Sequence, residues 1–462
     1  MKRQHEIDMS VGNMLPKLLT FALPLMLSGV LQLAFNAADL IVVGRFVGEK
    51  YLAAVGSNGA LVNLVINILM GLGTGASVLT ARHFGARDFA RMRETVGTTL
   101  ILSVGGGVLF GAIGLIAATP LLRLMGTPED VLPLAALYLR IYFLGMPVIV
   151  TYNFASAILR AVGDTKRPLY FLTLAGALNV GMNLFFVLVC HMDVAGVAIA
   201  TVLSQCVSAA LTVNCILHSD ESYHVSLREI RFSKEQFREI LRIGLPAGIQ
   251  GSLFSISNVI IQSSVNSFGS IVMAGNSAAS SLESFAFCAQ DGISQTALAS
   301  VSQNMGARQY ERTKTAVKLC TLLEIGFSVV LSGLLILFRV PLLGIYTTEA
   351  AAVAAGCRRL VINGAIYFTN GLMNMMAASI RGHGYSLLPT AVTLIGVCAF
   401  RILWIFTVFR AYHSLTLLYL SYPISWVMTS SAQYICYFRI RHKAFERNEQ
   451  RYLQQSQQSA RS

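Results

Sequence analysis

A chain of 462 residues in which 55% are hydrophobic and only 12% charged, with a mean hydropathy of +0.62, excludes a set of ordinary soluble domains. The formal net charge of +13 would suit a nucleic-acid binder, but 26 of the 35 Lys and Arg residues fall in the termini and alternate loops between apolar runs, so the excess is topological and faces lipid headgroups. Eight cysteines, scattered mostly inside those runs with no C-x-x-C pair and no nearby His cluster, exclude a disulfide framework or zinc site and act as packing thiols.

The N-terminal MKRQHEIDMSVGN is polar, and the apolar run after it is too long for a signal peptide and lacks a small-residue cleavage site, so the first span is expected to be retained. Reading apolar runs between charge clusters predicts an all-α polytopic membrane protein with spans near 18–43, 52–80, 95–119, 131–158, 168–190, 194–217, 240–266, 272–302, 317–338, 354–380, 388–409 and 414–437. The loop distribution of Lys and Arg places both termini in the cytoplasm.

In the first span, Pro24 sits mid-helix as a fixed bend or a hinge. The stretch AFNAADLIVVG, residues 34 to 44, then brings Asn36 and Asp39 into an apolar run. A charged side chain at bilayer depth costs about 2.5–3.5 kcal/mol on insertion scales, so Asp39 is expected to face a protein interior and to carry a function. The GLGTGA run at Gly71 resembles a dinucleotide fingerprint but lies inside an apolar helix with no preceding strand, so it predicts close helix packing. With no P-loop Gly-Lys-Ser/Thr in the chain, energy must come from an ion gradient.

Asn179 and Asn183 of the fifth span are i and i+4, on one face, and Thr201 of the sixth lies at a similar depth to Asn183 and Asp39. Four oxygen-bearing side chains at one depth are the set a hard cation such as Na+ requires. The alternative is interhelical hydrogen bonding by the three neutral residues. Residues 218–239 form a polar linker ending in Ser233-Lys-Glu-Gln236, a capping-box pattern for the seventh helix.

The seventh span carries Pro246 as a second bend or hinge, then Asn258, Gln262 and Asn266, with no carboxylate; Asn258 and Gln262, with Gln290 of the next span, are candidate substrate contacts. In the eighth, Glu283 lies near the midplane with Gln290 on the same face and Asp291 rotated away; these acids either attract a cationic substrate or pair between helices. Glu324 of the ninth span is expected to be structural, and Arg401 is an intramembrane cation. The tail from 439 to 462, charged and then Gln/Ser-rich, is expected to be disordered.

Sliding the sequence on itself by 221 or 222 residues superimposes Pro24 on Pro246, Asn36 on Asn258, Gly85-Ala-Arg87 on Gly306-Ala-Arg308, Pro120 on Pro341, Asn153 on Asn374 and Pro168 on Pro389. Such register across some 150 residues predicts an internal repeat. Each half holds an even number of spans, so the halves are parallel repeats with substrate expected between them near the midplane. The expected domains are 1–217, a six-helix lobe; 218–239, a cytoplasmic linker; 240–438, a second six-helix lobe; and 439–462, the tail.

Taken together, the proline-bearing first helix with Asn36 and Asp39, LAAVG at 52–56, the doubled GAR, LRAVGDTKRP at 159–168 and IRGHGYSLLP at 380–389 resemble the multidrug and toxic compound extrusion (MATE) family. The resemblance implies a V-shaped pair of six-helix bundles, alternating access, and export of small amphipathic organic cations against inward Na+ or H+. It implies no enzymatic activity, no cofactor beyond the coupling ion, and a monomer in the cell membrane. It also points to Asp39, Asn179, Asn183 and Thr201 as a cation site. The chain departs from the pattern of some relatives in having Asn183 where they have Asp, and in lacking the seventh-helix Glu of the NorM-like branch. The rival reading is a lipid-linked oligosaccharide flippase of related architecture, which would need a cationic cluster such as one built on Arg401.

Overall fold

A computed structural model describes residues 5–47, 49–219 and 221–459; the side chains of 49–57, 60, 61, 451, 452 and 454–459 lie outside that description, and with them the LAAVG motif. Among the described residues there is no β-strand. Hydrocarbon offers no partner for a backbone N–H or C=O, so a lipid-embedded chain must satisfy each one within a helix.

In chain order the first half contains α1 (Met14–Phe46), α2 (Glu49–Gly85), α3 (Phe89–Leu124), α4 (Leu132–Leu144), α5 (Met146–Ala161), α6 (Lys166–Leu184) and α7 (Asp193–His218). The second half contains α8 (Lys234–Asn266), α9 (Ser270–Gly306), α10 (Tyr310–Leu337), the short α11 (Arg339–Gly344), α12 (Ala350–Gly364), α13 (Phe368–Gly382), α14 (Leu387–Thr393), α15 (Phe400–Trp404), α16 (Arg410–Tyr412) and α17 (Leu415–Ser459). Eight helical segments are long and apolar enough to cross a membrane unaided, and α4 with α5 makes a ninth span bent by 51°. The more polar α9, the α12–α13 pair and α17 complete the twelve expected spans, six in each repeat. The α4–α5 bend falls at Gly145, followed by Pro147, whose missing N–H breaks the hydrogen-bond ladder. Pro24 and Pro246 remain inside continuous helices.

The chain divides into two compact units. The first comprises residues 1–7, 27–84 and 88–252; the second comprises 8–26, 85–87 and 253–462. The division therefore cuts α1 two residues after Pro24 and α8 six residues after Pro246.

Within the first unit, Gly71 and Gly75 of α2 face Gly244 and Gly248 of α8 so closely that a Cβ on Gly75 would stand 2.9 Å from the Gly244 nitrogen. The GLGTGA run is thus a helix-packing stripe, as expected for small residues where backbones approach in a membrane. The repeat is visible in the backbone. Arg87 and Arg308 both adopt positive φ, at 60° and 57°, and Gly163 and Gly384 do so at 95° and 90°.

Two sequence expectations need correction. Ser233 does cap α8, accepting from the Gln236 N–H at 3.5 Å, but the Gln236 side chain does not complete the box. It is buried instead, accepting from the Thr95 hydroxyl at 3.0 Å, because tertiary packing offers it a better partner than the cap. The complete capping box lies earlier in the linker, between Ser226 and Glu229. The expected disordered tail is helical through Ser459. Its aromatic and amide side chains find partners on the second unit: Phe445 stacks on Tyr310 at 4.6 Å, and Asn448 donates to the Met305 carbonyl at 2.9 Å. A charged segment rich in helix formers needs only such a docking face to stay helical.

Candidate functional site

Asp39 projects from α1 within the first unit, where α6 and α7 pack against each other. The Asn183 amide donates to Asp39 Oδ1 at 2.5 Å and to Asn179 Oδ1 at 3.3 Å, and the Asn179 amide reaches Thr201 Oγ1 at 3.5 Å. The structure therefore joins all four residues that the sequence placed at one depth. Asn179 and Asn183 are buried, Asp39 and Thr201 half-buried.

A cavity of about 50 Å³ opens beside them, lined by Asp39, Asn179 and Thr201 together with Gln32, Phe35, Asn36, Ser204 and Gln205 and the apolar Leu172, Ala175 and Gly176. That is room for a water-sized guest. Among the described residues no Lys or Arg forms an ion pair with Asp39. Two buried oxygens at the site, Asn183 Oδ1 and Gln205 Oε1, have no hydrogen-bond partner. A carboxylate, several neutral oxygens and a small void match the ligand chemistry of a hard monovalent cation. No group of three or more His, Cys, Asp or Glu side chains among the described residues could hold a transition metal.

Gln32, Ser204 and Gln205 were not singled out from the sequence. The signal was available as spacing: Gln32, Asn36 and Asp39 recur at four and three residues on one face of α1, and Ser204 and Gln205 follow Thr201 by three and four on α7. What the spacing lacked was the direction in which each face points.

The candidates of the second unit are arranged differently. Glu283 does not stand open to a cation. Arg359 donates to its two oxygens at 3.2 Å from Nε and at 2.7 Å from Nη2, and Asn363 donates at 3.0 Å. The same guanidinium donates to Asn276 at 2.6 Å, Asn276 donates to Gln262 at 3.1 Å, and Gln262 to Asn266 at 3.0 Å. Interhelical pairing, the alternative left open by the sequence, is what the structure contains at Glu283. Gln290 likewise donates to Ser328 and the Tyr367 carbonyl and accepts from Asn370, all buried. Asn258 and Asp291 are exposed. Glu324 is fully buried, accepts from Ser328 at 2.9 Å, and packs against Gly371.

The MatE family model matches residues 24–185 and again 246–407. The chain is 30% identical over 385 residues to the probable multidrug resistance protein YoeA of Bacillus subtilis, covering 82% of this chain and 83% of that one. It is 26% identical over 391 residues to the probable multidrug resistance protein NorM of Thermotoga maritima, covering 84% of each. Among solved structures, a MOP superfamily transporter from Pyrococcus furiosus superposes with a TM-score of 0.89 at 23% identity, over 96% of this chain and 100% of that one. A doubled family match over most of the chain, carried on twelve helical spans, makes this polypeptide a membrane transporter and not an enzyme: it belongs to the multidrug and toxic compound extrusion family, MatE.

Proposed function

We propose that the chain is a secondary antiporter that exports small amphipathic organic cations in exchange for inward Na+ or H+, and that Asp39 carries the exchanging ion. The observation behind this reading is a half-buried carboxylate with no basic partner among the described residues, beside a small cavity rich in oxygen. An ionisable group within the membrane is costly to keep without a job. Asn183, Asn179 and Thr201 are neutral, so the site alternates between one negative charge and none as the ion leaves and enters. With the basic loops and both termini in the cytoplasm, Asp39 lies toward the outer face, about 10 Å short of the Phe46 end of α1 at 1.5 Å per residue. That is where an inward-moving ion first meets the protein in the cell membrane. Pro24 and Pro246 serve as hinges in this scheme, consistent with the change of unit along α1 and α8 close to each. The transporter works as a monomer, with no cofactor beyond the ion.

Exchange of one monovalent ion for one monocationic substrate moves no net charge. The potential term of about 2.3 kcal/mol per 100 mV then cancels, and the ion's concentration gradient does the driving. Coupling follows if an ion at Asp39 favours the state that has released substrate, and reciprocity requires substrate to weaken ion binding equally. The flippase alternative would need Arg401 open to a pyrophosphate, whereas that side chain is 1% exposed and enclosed by aromatic rings.

Ethidium efflux from inverted vesicles, driven separately by Na+ and pH jumps, tests the reading. Asp39→Asn is expected to abolish driven efflux with whichever ion drives the wild type. Undiminished driven efflux in the variant would remove Asp39 from coupling.

A further inference from the structure

The second repeat carries a buried cation, Arg401, at the place that corresponds to the Asp39 site of the first. Pro24 aligns with Pro246 at a spacing of 222, and the same spacing carries Gln32 to Phe254 and Asp39 to Ile261. The left-handed glycines Gly163 and Gly384 are 221 apart, whereas the left-handed His191 and His413 are 222 apart. One residue has therefore been inserted between them in the second repeat. The structure shows where: Leu394–Ala399 is π-helical, while the matching part of α6 is regular α-helix. A π turn takes up one extra residue, and such bulges recur at functional sites. Beyond it, Asn179 falls on Arg401.

The surroundings of Arg401 agree to within one residue of that spacing. The first cavity is lined by Thr201, Ser204 and Gln205 of one helix and by Gln32 of α1. Arg401 rests on Tyr422, Ser425 and Trp426 of α17, at the same i, i+3, i+4 positions, and on Phe254 of α8. Its guanidinium carbon lies 4.4 Å from the Tyr422 ring centre and 5.8 Å from those of Trp426 and Phe254. Ser425 accepts from Nε at 2.9 Å, and Nη2 is buried without a hydrogen-bond partner. Where the first repeat has a carboxylate, this one has the buried Ile261. The neighbouring Arg359 is already neutralised by Glu283.

We propose that Arg401 is a tethered cation, held by an aromatic cage at the second repeat's counterpart of the Asp39 site, so that this place exchanges no ion. Aromatic faces bind a desolvated guanidinium through the ring quadrupole, without needing a counter-carboxylate. A cation bonded to the backbone cannot leave, and the two repeats thereby divide roles: one exchanges its ion and the other keeps its own. The division of roles rests on Asp39 being the exchanging site; the cage itself does not.

Purified protein in nanodiscs tests the cage by chemical rescue. Arg401→Ala is expected to lower the unfolding midpoint, and guanidinium or methylguanidinium at non-denaturing concentrations is expected to restore much of the shift saturably, with urea at equal concentration giving none and wild type unchanged. Arg401→Lys should retain more of the midpoint than Arg401→Met, which matches the length without charge. Absence of guanidinium rescue, or Met equalling Lys, would overturn the tethered cation. If the Ala and Met variants fail to accumulate, accumulation of Arg401→Lys supports it and failure of Lys as well overturns it. In the second arm, Asp39→Asn is expected to lose saturable binding of the coupling ion in proteoliposomes. Retention of an ion equivalent that Arg401→Met then abolishes would overturn the claim of a non-exchanging second site. Because rescue at position 401 does not involve Asp39, its outcome is read separately from failure of the antiport reading.

Discussion

The Glu283–Arg359 pair decides whether the acid in the middle of α9 meets substrate or holds helices together, and Glu283→Gln separates the two. In the structure four contacts converge on the carboxylate: three from the guanidinium at 2.7–3.2 Å and one from Asn363 at 3.0 Å. Both side chains are nearly inaccessible, at 8% and 11% exposure, so water does not replace a lost partner. Removing one member leaves a guanidinium with Asn276 and the faces of Tyr419 and Tyr422 as its remaining company. Breaking a buried pair from one side costs about 3–5 kcal/mol. Glutamine keeps one carbonyl for Arg359, which places the expected loss toward the lower end, still more than a hundredfold in the unfolding constant at about 1.4 kcal/mol per decade. Replacing both, as Glu283→Leu with Arg359→Met, is expected to recover most of that loss, because neither charge is then stranded. Equilibrium unfolding in mixed micelles compares wild type, Glu283→Gln and the double variant, and dye transport gives KM for those that fold. A Glu283→Gln protein as stable as wild type with a raised KM for cationic dyes would refute the structural assignment.

Two further outcomes follow from geometry remote from the cation site. Gly75→Val forces a side chain into the Gly244 backbone, 2.9–3.1 Å from its Cβ, and is expected to cost upward of about 1–3 kcal/mol; Gly73→Ala, whose Cβ would meet the Phe154 ring at 3.4–3.6 Å and the Ala157 Cβ at 4.0 Å, is expected to be tolerated, and paired thermal scans check the contrast. In the linker, the Ser226 N–H and hydroxyl, each 3.0 Å from Glu229, hold the Glu229 carboxyl below the usual range. Its contribution to linker order is therefore complete above the ordinary Glu value and is lost as pH falls through the lower folded value. Limited proteolysis at residues 219–232 should accelerate on acidification in that window, and Glu229→Gln should flatten the profile.

Some errors in reading the sequence share one cause. The Ser233–Gln236 pattern and the polar tail were both judged on local composition, and in both a distant element supplied the deciding partner: Thr95 for Gln236, and Tyr310 with Met305 for the tail helix. The Asp39 set was legible because Asn179 and Asn183 share a face by their spacing alone, and because depth in a bilayer is counted directly in residues. Gln32 and Gln205 needed knowledge of which way α1 and α7 are turned, and hydropathy does not supply it.

The sequence by itself determined the twelve spans, their doubling at a fixed spacing and the presence of acids within the apolar runs. Hydrophobic length, periodicity and self-similarity are properties of one chain read along its own axis. Only the tertiary structure decided that Glu283 is paired with an arginine and Asp39 with a neutral amide. Glu283 and Arg359 are 76 residues apart, and Gln262 joins them through Asn276. A hydrogen bond tolerates a few tenths of an ångström, whereas one residue of uncertainty in a helix moves a side chain by 1.5 Å and about 100°. That mismatch left the role of Glu283 open in the sequence, until packing gave it an arginine and gave Asp39 a cavity.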